Sequence, residues 1–211
     1  MRHSPTVFIV DDDQAVRDAL GMLLEAGGYH TEAYPSAQTF LEAVDASREG
    51  CLLLDVRMPG MSGLDLQTIL QERGYRLPVI ILTGHGDVPM AVRAMKGGAM
   101  DFIEKPFQGR MLLDRVAQAL EQDANRRRNQ IYLQEFNQRL ALLSPREREV
   151  LERVAEGHYN KVIAAELGIS ISTVEAHRKR VMEKLQAHSV ADLVRMLLIC
   201  KADSPGSSPG G

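Results

Sequence analysis

Tryptophan is absent, and 211 residues contain only two cysteines, Cys51 and Cys200. Two thiols that far apart match no metal-ligand spacing and no disulfide framework, which excludes zinc ribbons and stapled secreted domains. Both read as small buried or incidental residues of a reducing compartment. No apolar run approaches the roughly 20 residues that a membrane helix needs. The opening MRHSPTVFIV has neither the apolar stretch nor the small-residue cleavage site of a signal peptide, so a cytoplasmic protein with no membrane partner is expected. A large charge of one sign is also missing, yet the formal net charge of −3 hides a division: residues 1–123 sum to −7 and residues 124–211 to +4. An acidic half joined to a basic half points to a polyanion met by the second half alone.

What is present begins as strict alternation. TVFIV (6–10), HTEAY (30–34), CLLLD (51–55), PVIIL (78–82) and DFIE (101–104) read as five strands. Between them apolar residues recur at helical spacing, clearest at Val16, Ala19, Leu20, Leu23 and Leu24, and again over 36–44, 63–73, 88–97 and 109–120. Alternation of this kind predicts a parallel sheet covered on both faces, with strands 1, 3 and 4 central and the polar HTEAY at or near an edge.

Ligands of such sheets sit outside the carboxyl ends of the strands. That rule gathers Asp11, Asp12 and Asp13 after strand 1, Asp55 ending strand 3, Thr83 just past strand 4 and Lys105 after strand 5. Taken singly each has an ordinary reading: Asp13 as a helix cap, Asp55 in a turn, Thr83 as a strand end, Lys105 as a solvated cation. Together they form an acidic pocket with one lysine and one hydroxyl. Crowded carboxylates repel unless a divalent cation joins them, and Mg²⁺ suits one or two carboxylates plus a phosphate. Asp55 then has the means to attack phosphorus, with Lys105 and Thr83 facing the transferred group.

VDDD, LLLDVRMPGMSG, LTGHG and EKPF, in this order and spacing, resemble the receiver domain of two-component response regulators over roughly residues 5–122. The resemblance implies a doubly wound sheet in strand order 2-1-3-4-5 and assigns roles. Asp55 would be the phosphoacceptor, Asp12 a direct metal ligand, Asp11 a ligand through water, and the backbone carbonyl of Arg57 a further ligand. Thr83 and Lys105 match the switch hydroxyl and lysine, and Lys105-Pro106 would be a cis peptide. Phe102 matches the aromatic switch position and reads equally as a core residue. Arg57 and His85, two residues past Asp55 and Thr83, are expected to tune hydrolysis of the acyl phosphate or to be plain loop residues.

Residues 109–143 hold no proline and no glycine after Gly109, and EQDANRRRNQ is polar on every side, so the fifth helix is expected to continue as a linker, with a flexible coil as the alternative. Ser144-Pro145, with Glu147 three residues after the serine, is a helix-start signature opening a new unit. NKVIAAELGISISTVEAHRKRVMEKL (160–185) reads as helix, tight turn at Gly168, helix. In the second helix Val174, Val181 and Leu185 share one face. The opposite face carries Ser172, Ala176, Lys179 and Glu183, with Glu175 and Arg180 on its flanks. The segment from 140 to 201 is similar to the LuxR/NarL-type DNA-binding domain, and behind a receiver it resembles the FixJ subgroup. By motif position Glu175, Ala176 and Lys179 would face bases, while Lys161, Thr173, His177 and Arg178 would hold phosphates, His177 having a packing role as its alternative.

The expected organisation is a receiver over 1–122, a helical linker over 123–142, an all-α helix-turn-helix domain over 143–201, and an unstructured tail over 202–211. The expected function is not enzymatic: a transcription factor, by resemblance an activator, in which a sensor histidine kinase phosphorylates Asp55. A homodimer then forms, and promoter DNA and RNA polymerase become partners. Two alternatives stand beside it. A receiver-like module that takes no phosphate would lack a use for the full acidic set. A haloacid-dehalogenase-type phosphatase needs a second acid where this chain has Arg57.

Overall fold

Thr6–Val10 (β1) is buried at all five positions, and so are Gly50–Asp55 (β3) and Val79–Thr83 (β4). These facts come from a computed structural model that describes residues 5–84 and 88–202, without the side chains of 200–202. His85 and residues 203–211 lie outside the described residues, whereas Ala202, expected to open the unstructured tail, still belongs to the last helix.

The first compact unit runs to Arg127. With His30–Tyr34 (β2) and Asp101–Glu104 (β5) it forms a five-stranded parallel sheet in the order β2-β1-β3-β4-β5, so the polar HTEAY does form an edge. The period-two alternation of strand side chains divides the core in two. Val7, Ile9, Cys51, Leu53, Ile80 and Leu82 face Gln14–Ala26 (α1) and the first turns of Gly109–Ala141 (α5) through Leu20, Leu24, Leu112 and Val116. Phe8, Val10, Leu52, Leu54 and Ile81 face Ala37–Ala43 (α2), Gly63–Glu72 (α3) and Val88–Lys96 (α4) through Phe40, Leu66 and Ala94. Each large apolar side chain buried in this way contributes roughly 1.5–3 kcal/mol.

Two expectations need correction. The fourth strand begins at Val79 rather than Pro78, because proline has no N–H for the ladder; its carbonyl still accepts from Leu52 N at 2.9 Å. The shift makes Thr83 the last strand residue instead of the one after it. EQDANRRRNQ is not solvated on every side either. Asp123 is 2 % exposed, and its carboxylate accepts from Gly50 N at 3.1 Å, from Arg127 Nε at 2.8 Å and from Arg126 Nη2. Arg127 also donates to the carbonyls of Ser47 and Arg48, so α5 is fastened to the start of β3. Burial, with the Asp123 charge adding, pushes the nearby Cys51 thiol up to about 12 and leaves it inert.

The second unit begins at Arg128. The last turns of α5 supply Phe136, with Tyr132 and Leu140 packed beside it, to a core shared with Pro145–Ala155 (α6), Asn160–Leu167 (α7), Ile171–Leu185 (α8) and Val190–Ala202 (α9). Local chemistry sets the breaks. Ser144 and Glu147 form a reciprocal capping box with Pro145 in the first turn, Gly168 ends α7 with φ of 65°, and Ser170 caps α8 by accepting from Thr173 N at 3.1 Å. Glu147 is buried and accepts from Lys184 Nζ at 2.7 Å; that bond and the Ser144 N–H hold its carboxyl down at about 2.

Candidate functional site

The carboxyl ends of β1, β3, β4 and β5 bring four predicted residues together. Asp11 follows β1, Asp55 ends β3, Thr83 ends β4, and Lys105 follows β5. Asp11, Asp55 and Thr83 are all buried. The ammonium of Lys105 donates to Asp11 Oδ2 at 2.6 Å and to Asp55 Oδ1 at 2.7 Å. Its backbone N–H donates to the carbonyl of Thr83 at 2.7 Å, which locks lysine and threonine into one register. Lys105-Pro106 is cis.

The remaining lone pairs are largely accounted for by backbone. Arg57 N donates to Asp55 Oδ2 at 2.7 Å, and Asp13 N donates to Asp11 Oδ1 at 2.9 Å. Asp13 caps α1, accepting from Ala15 N at 2.8 Å, as its place before a helix predicted. Gly63 opens α3 directly against the site: a Cβ there would stand 2.1 Å from the Asp55 carbonyl oxygen, so no other residue fits without displacing that strand end.

Burial pushes the Asp55 carboxyl above the usual carboxylate range and the Asp11 charge adds to this, outweighing the Lys105 and Arg57 contacts that pull it down. For Lys105 burial opposes the charge, yet the bonds to Asp11 and Asp55 prevail and raise it. The site therefore stores unfavourable negative charge that one lysine partly offsets.

Asp12 completes the acidic set. It is exposed and makes no hydrogen bond or ion pair to another described residue, whereas every neighbouring carboxylate is engaged. The oxygens of Asp12, Asp55 and the Arg57 carbonyl, with Asp11 behind them, are the hard donors that suit Mg²⁺. As the side chains stand, no three acids among the described residues surround a common ion position, since Lys105 holds Asp11 and Asp55. Phe102 is half-buried against the core formed with α2, α3 and α4.

Sequence reasoning missed Arg17. Its Nη1 donates to the Asp11 carbonyl at 2.7 Å and pins the turn that presents Asp11 and Asp12. A cation early in α1 was the available signal, but its partner is a backbone atom that no pattern reveals.

In the second unit α8 buries Val174, Val181 and Leu185 and exposes Ser172, Glu175, Ala176, Lys179 and Glu183. Lys161 is exposed at the start of α7. The other three residues expected at phosphates are only half-exposed. The Thr173 hydroxyl bonds Ser170 Oγ at 2.7 Å, His177 Nδ1 is buried with no partner among the described residues, and Arg178 Nη1 donates to Asn160 Oδ1 at 2.7 Å. Asn160 thus aims Arg178 along α7, a second residue the sequence reading missed.

Comparison with known proteins agrees with both halves. Residues 7–117 match the family described as Response regulator receiver domain, and residues 141–197 match Bacterial regulatory proteins, luxR family. The chain is 47% identical over 199 residues to Transcriptional regulatory protein FixJ of Azorhizobium caulinodans, covering 94% of each chain. It is 47% identical over 190 residues to Nodulation protein W of Bradyrhizobium diazoefficiens, covering 90% of this chain and 84% of the relative. Among solved structures the response regulator StyR superposes with a TM-score of 0.79 at 44% identity, covering 93% of this chain and 99% of that one.

Proposed function

Because the chain belongs to the FixJ/NarL family of response regulators, with a receiver domain followed by a LuxR-type DNA-binding domain, we propose that it is a transcription factor switched by phosphorylation of Asp55. The observation that carries this reading is the Lys105 ammonium held between Asp11 and Asp55 at 2.6 and 2.7 Å. A half-buried lysine on two carboxylates stands where the charge of an incoming phosphoryl group needs an opposing cation.

In the proposed reaction an Asp55 carboxylate oxygen forms a bond to phosphorus while the bond to the imidazole nitrogen of a sensor histidine kinase breaks. Mg²⁺, when held by Asp12, Asp55 and the Arg57 carbonyl with Asp11 through water, supplies charge neutralisation there. Lys105 leaves Asp11 for the phosphoryl oxygens, and the Thr83 hydroxyl donates to one of them. Arg57 stands at the mouth of the pocket, where its exposed side chain meets the entering water and sets the lifetime of the acyl phosphate.

An apolar groove formed by Ala15, Val16, Leu23, Pro106 and Phe107 borders Lys105 and suits the kinase helix that delivers the phosphoryl group. On α4, Val88, Val92 and Met95 form one exposed apolar stripe next to β5. Movement of Thr83, followed by Phe102, reshapes that face and favours a receiver homodimer. Two basic units then engage two half-sites of promoter DNA in the cytoplasm, with Glu175, Ala176 and Lys179 at bases and Lys161, Thr173, His177 and Arg178 at or beside phosphates, and recruit RNA polymerase as an activator.

The test treats the full chain with acetyl phosphate and Mg²⁺ and follows intact mass, sedimentation and DNA affinity. One phosphoryl group is expected on the parent and none on Asp55→Asn, with dimer formation and tighter DNA binding confined to the labelled protein. Labelling that leaves oligomeric state and DNA affinity unchanged would separate the two domains functionally and overturn the reading.

A further inference from the structure

The functional reading uses only Lys179 of one charged groove in the second unit. It lies between the last turns of α5 and the C-terminal half of α8, and Arg139, Lys179, Met182, Glu183, Gln186 and His188 line most of it. Lys179 is the residue that the motif places at a base edge. Arg139, on a different helix, shares its groove.

Arg139 is held in place by its neighbours. Phe136, one turn before it, is 1 % exposed in the core of this unit, and Leu140 and Leu143 pack there as well. Its guanidinium, 26 % exposed at the side chain, is loosely paired: among the described residues its one ion pair runs to Glu135 at 3.4 Å, on a carboxylate exposed over half its surface. Water screens such a pair, so the side chain exchanges it readily for a stronger anion. The groove has two cations against the single carboxylate of Glu183, which itself stands 4.0 Å from Lys179 Nζ. A fixed backbone, a loosely paired planar fork and a shared groove with a base-reading lysine describe a phosphate contact, because arginine binds a phosphate in bidentate fashion.

We propose that Arg139, on α5, holds a backbone phosphate of the duplex next to the base that Lys179 reads. The inference rests on the DNA-binding reading given above and extends the interface from the helix-turn-helix onto α5, the same continuous helix whose first turns cover the receiver sheet. Phosphate contacts position without specifying, so Arg139 adds affinity and salt dependence but no base preference.

The experiment uses the full chain after treatment with acetyl phosphate, a random-sequence duplex pool, and the duplex that the parent selects from it. Affinity is measured across roughly 50–200 mM KCl for the parent, Arg139→Gln, Arg139→Lys, Lys161→Gln and Lys179→Gln. Arg139→Gln is expected to weaken binding about fivefold to tenfold per bound protomer on both DNAs and to reduce the slope of log affinity against log salt by about 0.9 per bound protomer, with the selected sequence unchanged. Arg139→Lys should keep the slope, which separates loss of charge from loss of packing and serves as the readout if the glutamine variant folds poorly. Lys179→Gln should alter the selected sequence instead. Parent-like affinity and slope for Arg139→Gln, while Lys161→Gln and Lys179→Gln lose theirs, would overturn the Arg139 assignment and leave the DNA-binding reading standing. Absence of duplex binding by every protein, parent included, would bring down both.

Discussion

Asp55 is a residue whose ionised form the fold tolerates at a cost. It is 7 % exposed, it faces Asp11 across a single ammonium, and burial raises its carboxyl above the ordinary range. Sites built for chemistry commonly give up stability in this way. Asp55→Asn keeps the shape, removes one of the two competing charges and leaves Lys105 paired to Asp11. In Mg²⁺-free buffer it is expected to stabilise the receiver by about 1 kcal/mol, a rise of a few degrees in Tm by calorimetry. A fall in Tm would mean that the Lys105 bond outweighs the burial and repulsion. Glu147 is the opposite case, a carboxyl that the fold favours charged. Its bond from Lys184 lowers it to about 2 from an ordinary 4.5, so the stability it contributes is fully present above pH 4.5 and disappears as pH falls through about 2. Lys184 is more than a third exposed, which limits the contribution to the order of 2 kcal/mol. The second unit of Glu147→Gln should melt earlier than the parent at pH 7, and the gap should close progressively between pH 4.5 and pH 2. A gap independent of pH would assign the loss to the cap alone.

Among elements, α5 carries the most unexpected feature. Asp123 joins the helix to Gly50 N and Arg127 joins it to the carbonyls of Ser47 and Arg48 before β3, while Arg126 pairs with Asp123 inside the helix. Asp123→Ala leaves the buried Gly50 N–H and the Arg126 guanidinium without the carboxylate they share, and leaves Arg127 only its two carbonyls, a change expected to cost about 3 kcal/mol. The urea midpoint of the receiver should fall, and hydrogen exchange should speed in α5 near residue 123 while α1 keeps its protection. Uniform loss of protection across the sheet would show that the cluster supports the whole domain rather than the helix. EQDANRRRNQ offers the helical pairs of Asp123 with Arg126 and Arg127 but gives no sign that they are buried, because Gly50 N, which also donates to Asp123, lies 73 residues away. The elements that could be read in advance are those written in local terms. Five strands followed from short β-rich runs, continuously apolar at the centre of the sheet and polar at HTEAY, the α1 cap from Asp13, and the α6 start from Ser144 and Glu147. The acidic pocket was legible as well, since strand ends in a parallel sheet converge without knowledge of packing. On α8 the wheel separated buried Val174 from exposed Lys179 correctly. Motif position gave Arg178 to a phosphate without its Asn160 contact, because Asn160 belongs to another helix, and nothing in the pattern gave a reason to look at Arg139 on α5.

For the whole molecule, the division of charge decides how the halves meet the same salt. The receiver is acidic and repels duplex DNA; the residues from 124 onward are basic and attract it. A monomer therefore gains affinity from one basic unit only, and that affinity declines with salt in proportion to the few phosphates the unit neutralises. On the proposed reading, pairing two receivers through the exposed Val88, Val92 and Met95 face would make the second binding event intramolecular and roughly double the phosphates engaged. Phosphorylation should then do two things at once to binding on a two-half-site duplex. Affinity at about 0.15 M salt should rise by about 10²-fold, and the salt slope should approach twice that of the unphosphorylated protein. Val92→Asp places a charge in the apolar stripe without touching Asp55, so acetyl phosphate should still label it while both gains disappear. Higher affinity with an unchanged slope would show one unit made more competent instead of two units brought together, and the signal would then have to pass along the chain rather than across a dimer. Fluorescence anisotropy on duplexes with one and with two half-sites distinguishes the two, because only the dimer route loses its gain on the single half-site.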